Sequence, residues 1–481
     1  MFHTIARYSR QLSVSALLTL LTACAAVGPD YVKPSVETPA AFKEAPGWKV
    51  AQPGDAALTE KWWQMFSDPA LNDLEEQVAI SNQNIAVAEA QFRQARSLVD
   101  ASKAAFYPTL TLGASATRGQ SSANTGRGQG VSTGVSSDFL LPANISWELD
   151  VWGRIRRTVE ASRSSAQASA ADLAAVTLSV QAELASDFYQ LRTLDAQKRY
   201  LDESIAYYQK SLELTRNRYN AGIVSRVDVL QADNLLKSTQ ATMVDLGVQR
   251  SQLEHAIALL IGKPASLFTL PPLPLTSPPP RIPMVLPSEL LERRPDIAAA
   301  ERLMAAANAQ IGVARAAWYP TVKLSASFGL EASDIAKWIA WPSRFWSVGP
   351  SLSETVFDGG LRRAQNKQVL AAYDASVASY RQTVLNAFTE VEDNLSALRI
   401  LENEGRIQDE AVESARQMVS VAMNQYTAGI VSYLNVIIAQ NTELANRKTA
   451  IGILGRRMAA AVLLVKASGG GWNSDLLQQK K

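Results

Sequence analysis

The sequence predicts a mixed fold of long α-helices and membrane-spanning β-strands, in which two tandem repeats per chain supply part of a strand barrel and part of a helical tube. Three observations lead there. Stretches of the first half recur in the second at a nearly fixed offset. Each half holds a tract of nearly seventy residues without helix breakers, and each holds two short segments that alternate polar and apolar side chains.

The repeat sets the organisation. Asn82 to Glu89 lies over Arg294 to Glu301 at an offset of 212, and Ala105-Phe106-Tyr107-Pro108-Thr109 lies over Ala317-Trp318-Tyr319-Pro320-Thr321 at the same offset. Further on the offset is 207: Gly153 falls on Gly360, and Ala221-Gly222-Ile223-Val224-Ser225 recurs letter for letter as Ala428-Gly429-Ile430-Val431-Ser432. A length difference confined to one place marks a loop. Two copies of one long unit mean a tandem architecture rather than two unrelated domains. The divisions are a leader at 1–23, an N-terminal segment at 24–71, repeat 1 at 72–263, a Pro-rich linker at 264–287, repeat 2 at 288–467 and a tail at 468–481.

The leader carries Arg7 and Arg10 followed by the apolar run Leu12 to Leu21, too short to span a bilayer permanently. Leu21-Thr22-Ala23-Cys24 has the form of a bacterial lipobox, and Cys24 is the only cysteine of the chain. Cleavage before Cys24 and acylation of its thiol and new amine would give more than the two signals that stable anchoring needs. Ala25 follows, not an aspartate that would retain the protein at the inner membrane, so the outer membrane is expected. A lone thiol also excludes a disulfide framework and a cysteine metal site.

Removing the leader takes away Arg7 and Arg10 and no acid, so 47 basic residues become 45 against 45 acids. A mature chain without net charge gives no electrostatic basis for binding nucleic acid. Of the two histidines, His3 leaves with the leader and His255 stands alone in a helical run. No Gly-rich phosphate loop, nucleophile elbow or metal-ligand cluster appears, so no catalytic residue and no cofactor is assigned beyond the lipid on Cys24.

Between Pro142 and Pro264, and after Pro350, there is no proline. The segments from Gly153 to Gly222 and from Gly360 to Gly429 are rich in Ala, Leu, Gln, Glu and Arg, which favours helix. Such a helix reaches about 100 Å at 1.5 Å per residue. Thr177, Leu184, Leu191, Lys198, Ile205, Leu212 and Tyr219 fall seven apart, as do Val384, Val391, Leu398, Gly405, Val412, Val419 and Tyr426. A heptad repeat specifies supercoiled packing; by itself it fits a solid coiled coil as well as the wall of a tube. Tyr219-Asn220-Ala221-Gly222 and Tyr426-Thr427-Ala428-Gly429 read as helix C-caps, and Ser225 and Ser432 can cap return helices that run to about Gly262 and Ala467. One further helix per copy is predicted upstream, near Asn72 to Ala105 and Ser288 to Ala317.

Strands are predicted at 109–116, 144–150, 321–328 and 348–354, where polar and apolar residues alternate. Residues 118–137 and 331–346 read as the loops joining them. Thr109, Thr111, Asn144, Ser146, Ser325 and Ser327 form the polar face; Pro350 and Glu354 interrupt the apolar one. Trp147, Trp152, Trp318, Trp338, Trp341 and Trp346 suit an interfacial belt. Four strands cannot close a barrel, and an open edge in hydrocarbon leaves backbone groups unsatisfied, so other copies must complete the wall. The residues alone leave two other readings open. A structural coiled-coil surface lipoprotein accounts for the helices but not for the alternating segments, and a lipid-anchored periplasmic enzyme needs a convergent polar site.

Several motifs carry a family resemblance. They are the Cys24 lipobox with Gly28-Pro29-Asp30-Tyr31, the Trp62-Trp63 and Phe66, Asp68, Pro69 run, Arg293-Arg294-Pro295-Asp296, the two Tyr-Pro pairs, Leu149-Asp150-Val151-Trp152-Gly153-Arg154 and Phe357-Asp358-Gly359-Gly360. With these the chain resembles the TolC-like outer-membrane factors, in the lipoprotein branch typified by OprM, over essentially its whole mature length. The resemblance implies a homotrimer with a twelve-stranded outer-membrane β-barrel, four strands per protomer, continuous with a periplasmic α-helical barrel. It implies export of drugs, solvents or other small molecules in concert with a periplasmic adaptor (membrane fusion) protein and an inner-membrane efflux pump of the RND type. It also implies a belt around the tunnel from the N-terminal segment, the linker and the tail.

By the same resemblance, Gly222 and Gly429 mark the turns that an adaptor approaches. Arg226, Asp228, Tyr433, Leu434, Asn435 and Ile438 fall at the periplasmic aperture. Family members commonly carry aspartates in the second hairpin there, whereas this chain has Asn435 and Ile438. An aperture closed mainly by Leu434 and Ile438 follows, with Asp228 as the remaining acid and Arg226 available to pair with it.

Overall fold

The computed structural model describes residues 26–44, 61–120, 122, 134–283 and 286–474. The leader, the lipobox and Cys24 lie outside the described residues, as do 45–60 of the N-terminal segment and 475–481 of the tail. In chain order the elements are α1 (Pro69–Ser81), α2 (Gln83–Ala104), β1 (Thr109–Leu112), β2 (Ser115–Gln120), β3 (Val135–Leu149), α3 (Arg154–Asn220) and α4 (Arg226–Leu260). Then follow α5 (Pro287–Arg293), α6 (Pro295–Ala316), β4 (Thr321–Ala332), β5 (Arg344–Ser353), α7 (Leu361–Thr427) and α8 (Tyr433–Ala467). Helices α2 and α6 both have 22 residues, α3 and α7 both 67, and α4 and α8 both 35. Two compact units emerge: Phe92–Ala168 and Ala300–Tyr380 with the N-terminal stretch to Pro34, and Ser35–Gln91, Ser169–Ala299 and Arg381–Lys481.

The first unit contains the β-sheet. β1 and β2 both pair with β3, β3 with β4 and β4 with β5, all antiparallel. The predicted strand at 109–116 is thus split at Gly113, whose N–H donates to Pro142 O at 2.9 Å, but both pieces lie against the same neighbour. β3 begins at Val135 and β5 at Arg344, earlier than predicted, and β4 runs on to Ala332. The loops expected at 118–137 and 331–346 are correspondingly shorter. Ser and Gly at these strand ends carry little hydrophobic contrast, so the ladder reaches beyond the periodic signal. Glu354 falls outside β5, so it does not interrupt the apolar face.

The second unit holds the main apolar core. Trp62, Leu71 and Val78 pack with Phe188, Leu191 and Val465 among its fully buried members. A second cluster, with Leu212, Leu235, Tyr426 and Val436, lies along the two hairpins. The Pro-rich linker has no ladder to satisfy its backbone and is held by charged side chains instead. Arg192 Nη1 donates to Pro271 O at 2.8 Å and Arg250 Nη2 to Leu270 O at 2.6 Å, while Glu254 and Asp195 accept the N–H groups of Leu270 and Leu273. Arg250 also bonds Asp195 at 2.8 Å, so the buried charges neutralise one another.

The single upstream helix predicted per copy is two helices, and the reason is local. Asn82 and Arg294, equivalent at the 212 offset, both take extended backbone, with ψ of 125° and 122°. Pro295 disfavours the helical region for Arg294. Asn82 Oδ1 accepts from the N–H groups of Asn84 and Ile85, capping α2. Each break residue also reaches a return helix: Asn82 Nδ2 donates to Leu260 O at 2.7 Å and Arg294 Nη1 to Ala467 O at 3.1 Å. Those carbonyls are the last of α4 and α8, so each contact satisfies a group that the helix itself leaves unpaired.

Glu75 on α1 is an exception within the core. It is fully buried, neither carboxyl oxygen has a hydrogen-bond partner among the described residues, and burial pushes its pKa from 4.5 up to about 9. A folded-state pKa above the unfolded one gives stability that is fully present below about 4.5 and is lost as pH rises towards 9. Holding the proton at pH 7 costs roughly 3 kcal/mol relative to the ionised unfolded chain. Glu75→Gln is therefore expected to flatten the decline in melting temperature between pH 5 and pH 9. Parallel curves for the two proteins would show that the carboxyl is not buried alone.

Candidate functional site

Antiparallel partners face the same side, so the register sorts the sheet into two faces. One carries the rows Thr109–Ser146–Ser325–Gly349 and Thr111–Asn144–Ser327–Ser347. Ser327 Oγ donates to Asn144 Oδ1 at 2.7 Å within them, and Glu148 stands opposite Lys323. All six residues predicted for the polar face are on it. The other face carries Leu110–Ile145–Ala326–Val348 and Leu112–Ala143–Phe328–Trp346, with Trp147–Leu324–Pro350 and Leu149–Val322–Leu352 below them. Pro350 lies on this face, as predicted from its alternation.

The apolar face is bare within the protomer along its edge strands, where Leu352 is 70% exposed, Trp346 76% and Leu110 67%, and half-covered along central β3. From Val322 to Ala332 it runs roughly 33 Å at about 3.3 Å per residue. At the usual tilt of such strands that spans roughly 25 Å, the height of the apolar band of outer-membrane barrels. The outer edges, β1–β2 on one side and β5 on the other, pair with no further strand among the described residues. Among those residues no helix is long and apolar enough to cross a membrane, which has no bearing on a strand barrel.

The hairpin turns in the second unit are built alike. Gly222 and Gly429 have φ of +74° and +77°. The N–H groups of Gly222 and Ile223 bond Tyr219 O and Arg218 O, and those of Gly429 and Ile430 bond Tyr426 O and Gln425 O. This is the Schellman arrangement, for which glycine avoids the Cβ penalty of the left-handed conformation. Open space surrounds both glycines. Ile223 and Ile430 beside them are 63% and 73% exposed. Sequence reasoning passed over this pair, although the letter-for-letter match at the 207 offset contains both.

The six residues predicted for the aperture do not share one surface. Tyr433 is 1% exposed; its hydroxyl is 2.8 Å from Ser211 Oγ and its ring meets that of Tyr426 edge-on at 5.1 Å. It belongs to the core of the tips, where burial raises its pKa. Asp228 is engaged by Ser225, whose backbone N–H and hydroxyl donate to Oδ2 at 3.1 Å and 3.3 Å in a capping box. No ion pair joins Arg226 to Asp228, so the expected pairing is replaced by a cap: at the third helical position the carboxylate meets unpaired N–H groups more closely than a flexible guanidinium. Arg226 is exposed. Leu434, Asn435 and Ile438 lie together on the exposed face of α8, while Val436, Ala439 and Gln440 occupy its buried face. Arg218, not singled out from sequence, joins the two hairpins through Nη1 to Thr427 O at 2.9 Å and lies 4.7 Å over the Tyr426 ring.

No group of His, Cys, Asp and Glu that could hold a metal ion occurs among the described residues. What the protomer presents is a two-faced sheet with free edges and paired turns bearing exposed aliphatic residues.

Comparison with known proteins gives a consistent result. The model of the outer membrane efflux protein family matches residues 74–263 and 286–470. The chain is 29% identical over 464 residues to the toluene efflux pump outer membrane protein TtgC of Pseudomonas putida, covering 96% of this chain and 95% of that protein. It is 30% identical over 474 residues to the pyoverdine export outer membrane protein OpmQ of Pseudomonas aeruginosa, covering 97% and 98%. The solved structure of the outer-membrane channel OprN is similar with a TM-score of 0.86 at 32% identity, over 93% of this chain and 99% of that one.

Proposed function

The chain belongs to the outer membrane efflux protein family, and on that premise we propose that three copies close into a passive duct through the outer membrane and across the periplasm. The family's role is plain: it supplies the outer-membrane component of efflux systems, a transport duct rather than an enzyme. The single observation behind the trimeric duct is the sheet, with a polar face, a bare apolar face and two free edges. The edges are not stable in hydrocarbon, nor the apolar face in water, until neighbours pair the one and lipid covers the other. With β1 and β2 counted as one strand broken at Gly113, three such sheets give a twelve-stranded barrel whose polar faces line a water-filled lumen. The long helices α3 and α7, with α4 and α8, then form the periplasmic tube.

In this reading Cys24 carries the lipid anchor, and the turns at Gly222 and Gly429 receive a periplasmic adaptor that links the duct to an inner-membrane pump of the RND type. The periplasmic aperture is lined by Leu434, Asn435 and Ile438, with Arg226 and Asp228 at the rim and Tyr433 fixing the start of α8 from inside. TtgC and OpmQ are named for toluene and for pyoverdine. A polar lumen without a specific site accommodates such different cargo, drugs and solvents included, and leaves the choice of substrate to the pump.

Reconstitution of the purified protein in planar bilayers tests the duct. Discrete conductance steps from cross-linkable trimers are expected; a monomer without conductance would end the reading. Cys24→Ser behind an ordinary secretory leader is expected to leave trimers that still insert, because the apolar face supplies its own membrane affinity. If that variant fails to assemble, the anchor has a role in assembly beyond tethering.

A further inference from the structure

Among the described strand residues of the apolar face, two carry charge, Arg118 on β2 and Arg344 on β5, and both are cations. Both stand towards the strand ends farthest along the chain from the flanking helices. On the opposite face, the same ends carry the acids Asp138 and Glu331. At these ends charge is therefore segregated by face, with arginine on the apolar side and carboxylate on the polar side, whereas nearer the helices the polar face also carries Lys323.

The turn between β4 and β5 adds an apolar knob. Ile335 is 65% exposed, Ile339 84% and Trp341 76%. The guanidinium carbon of Arg344 lies 4.0 Å over the Trp341 ring. Lys337 in the turn is exposed as well, and the nearby Asp334 spends its carboxylate on the N–H of Ala336 at 3.0 Å. Neither Arg118 nor Arg344 forms an ion pair among the described residues.

We propose that Arg344 with the Trp341 knob, and Arg118 at the other edge of the same face, bind phosphate-bearing headgroups of the outer leaflet, lipid contacts that rest on the barrel reading above. A guanidinium binds phosphate through paired N–H donors, and stacking on Trp341 pre-orders that of Arg344 at little entropic cost. The exposed Ile339 and Trp341 then lie at the boundary of headgroup and acyl chain, where amphipathic aromatics are favoured. A neutral lipid surface offers two cations on an otherwise uncharged face no counter-charge; an anionic one does.

The test uses the full-length protein in phosphatidylcholine nanodiscs with and without lipid A, a bisphosphorylated glycolipid, and native mass spectrometry to follow retained lipid. The wild type is expected to retain lipid A. The double variant R118Q/R344Q should bind it about fivefold more weakly for each arginine removed. Both proteins should conduct equally in phosphatidylcholine bilayers, since these side chains are exposed and face away from the lumen. Equal retention by wild type and variant, equal retention of dephosphorylated lipid A, or displacement by inorganic phosphate alone would overturn the lipid site while leaving the duct in place. Absence of conductance from the wild type in every bilayer would remove the barrel and the lipid site with it.

Discussion

Replacing Arg294 with leucine is expected to destabilise the helical unit by roughly 3 kcal/mol, enough to deplete folded protein from the membrane fraction. The guanidinium is 7% exposed and serves three partners. It bonds Asp296 through Nε at 3.0 Å and Nη2 at 2.7 Å, Glu390 at 2.7 Å and the Ala467 carbonyl at 3.1 Å. Leucine fills part of the volume but leaves the last carbonyl of α8 and two acids without their partner. Asp296 and Glu390 are 38% and 48% exposed, so water recovers part of their loss, and the cost lies at the low end for a broken buried pair. Arg294→Lys keeps the charge but not the fork, and intermediate stability is expected. The measurement is folded-protein content of the membrane fraction and melting temperature in detergent. Wild-type values for the leucine variant would show that the three-way contact carries no stability.

Replacing Leu434 and Ile438 together with serine is expected to raise single-channel conductance several-fold without loss of assembly. The two side chains are 48% and 54% exposed on the face of α8 that carries Asn435, one helical turn apart. Their removal takes nothing from the hairpin core, which is supplied by Tyr433, Val436 and Ala439 on the other face. If apolar packing across the trimer axis holds the aperture shut, serine at both positions lets water in and ions with it. Tyr433→Phe is the informative control. It removes the hydroxyl that meets Ser211 and should soften the tip rather than widen the bore, so its melting temperature should fall while unitary conductance stays the same. Unchanged conductance in the double serine variant would remove Leu434 and Ile438 from the aperture.

The long helices were legible because nothing interrupts them: Gly153 and Gly222, and Gly360 and Gly429, delimit tracts without proline, and the helices fill those limits to within a residue. The polar face of the sheet was equally legible, since period-two alternation at Thr109, Asn144 and Ser325 carries the face with it. Extent was not. The early start of β3 at Val135 depends on pairing with β2 and β4, and a hydrogen-bond ladder leaves no mark in the composition of Ser and Gly.

The aperture divides in the same way. The 207 offset located both turns and their caps, but Tyr433, Leu434 and Asn435 are consecutive, and which of them turns inward depends on where the neighbouring helix lies. The sequence by itself determined the element order, the matched lengths in the two halves, the two-faced strands and the glycine turns, because propensity, periodicity and breakers act over a few residues. Only the tertiary structure decided that Asn82 and Arg294 clasp the ends of α4 and α8, that Asp228 caps rather than pairs with Arg226, and that Glu75 is enclosed without a partner. Those outcomes depend on which groups far apart in the chain share a dry interior, where a carbonyl, a carboxyl or a guanidinium must find a counterpart or bear the full penalty of losing water.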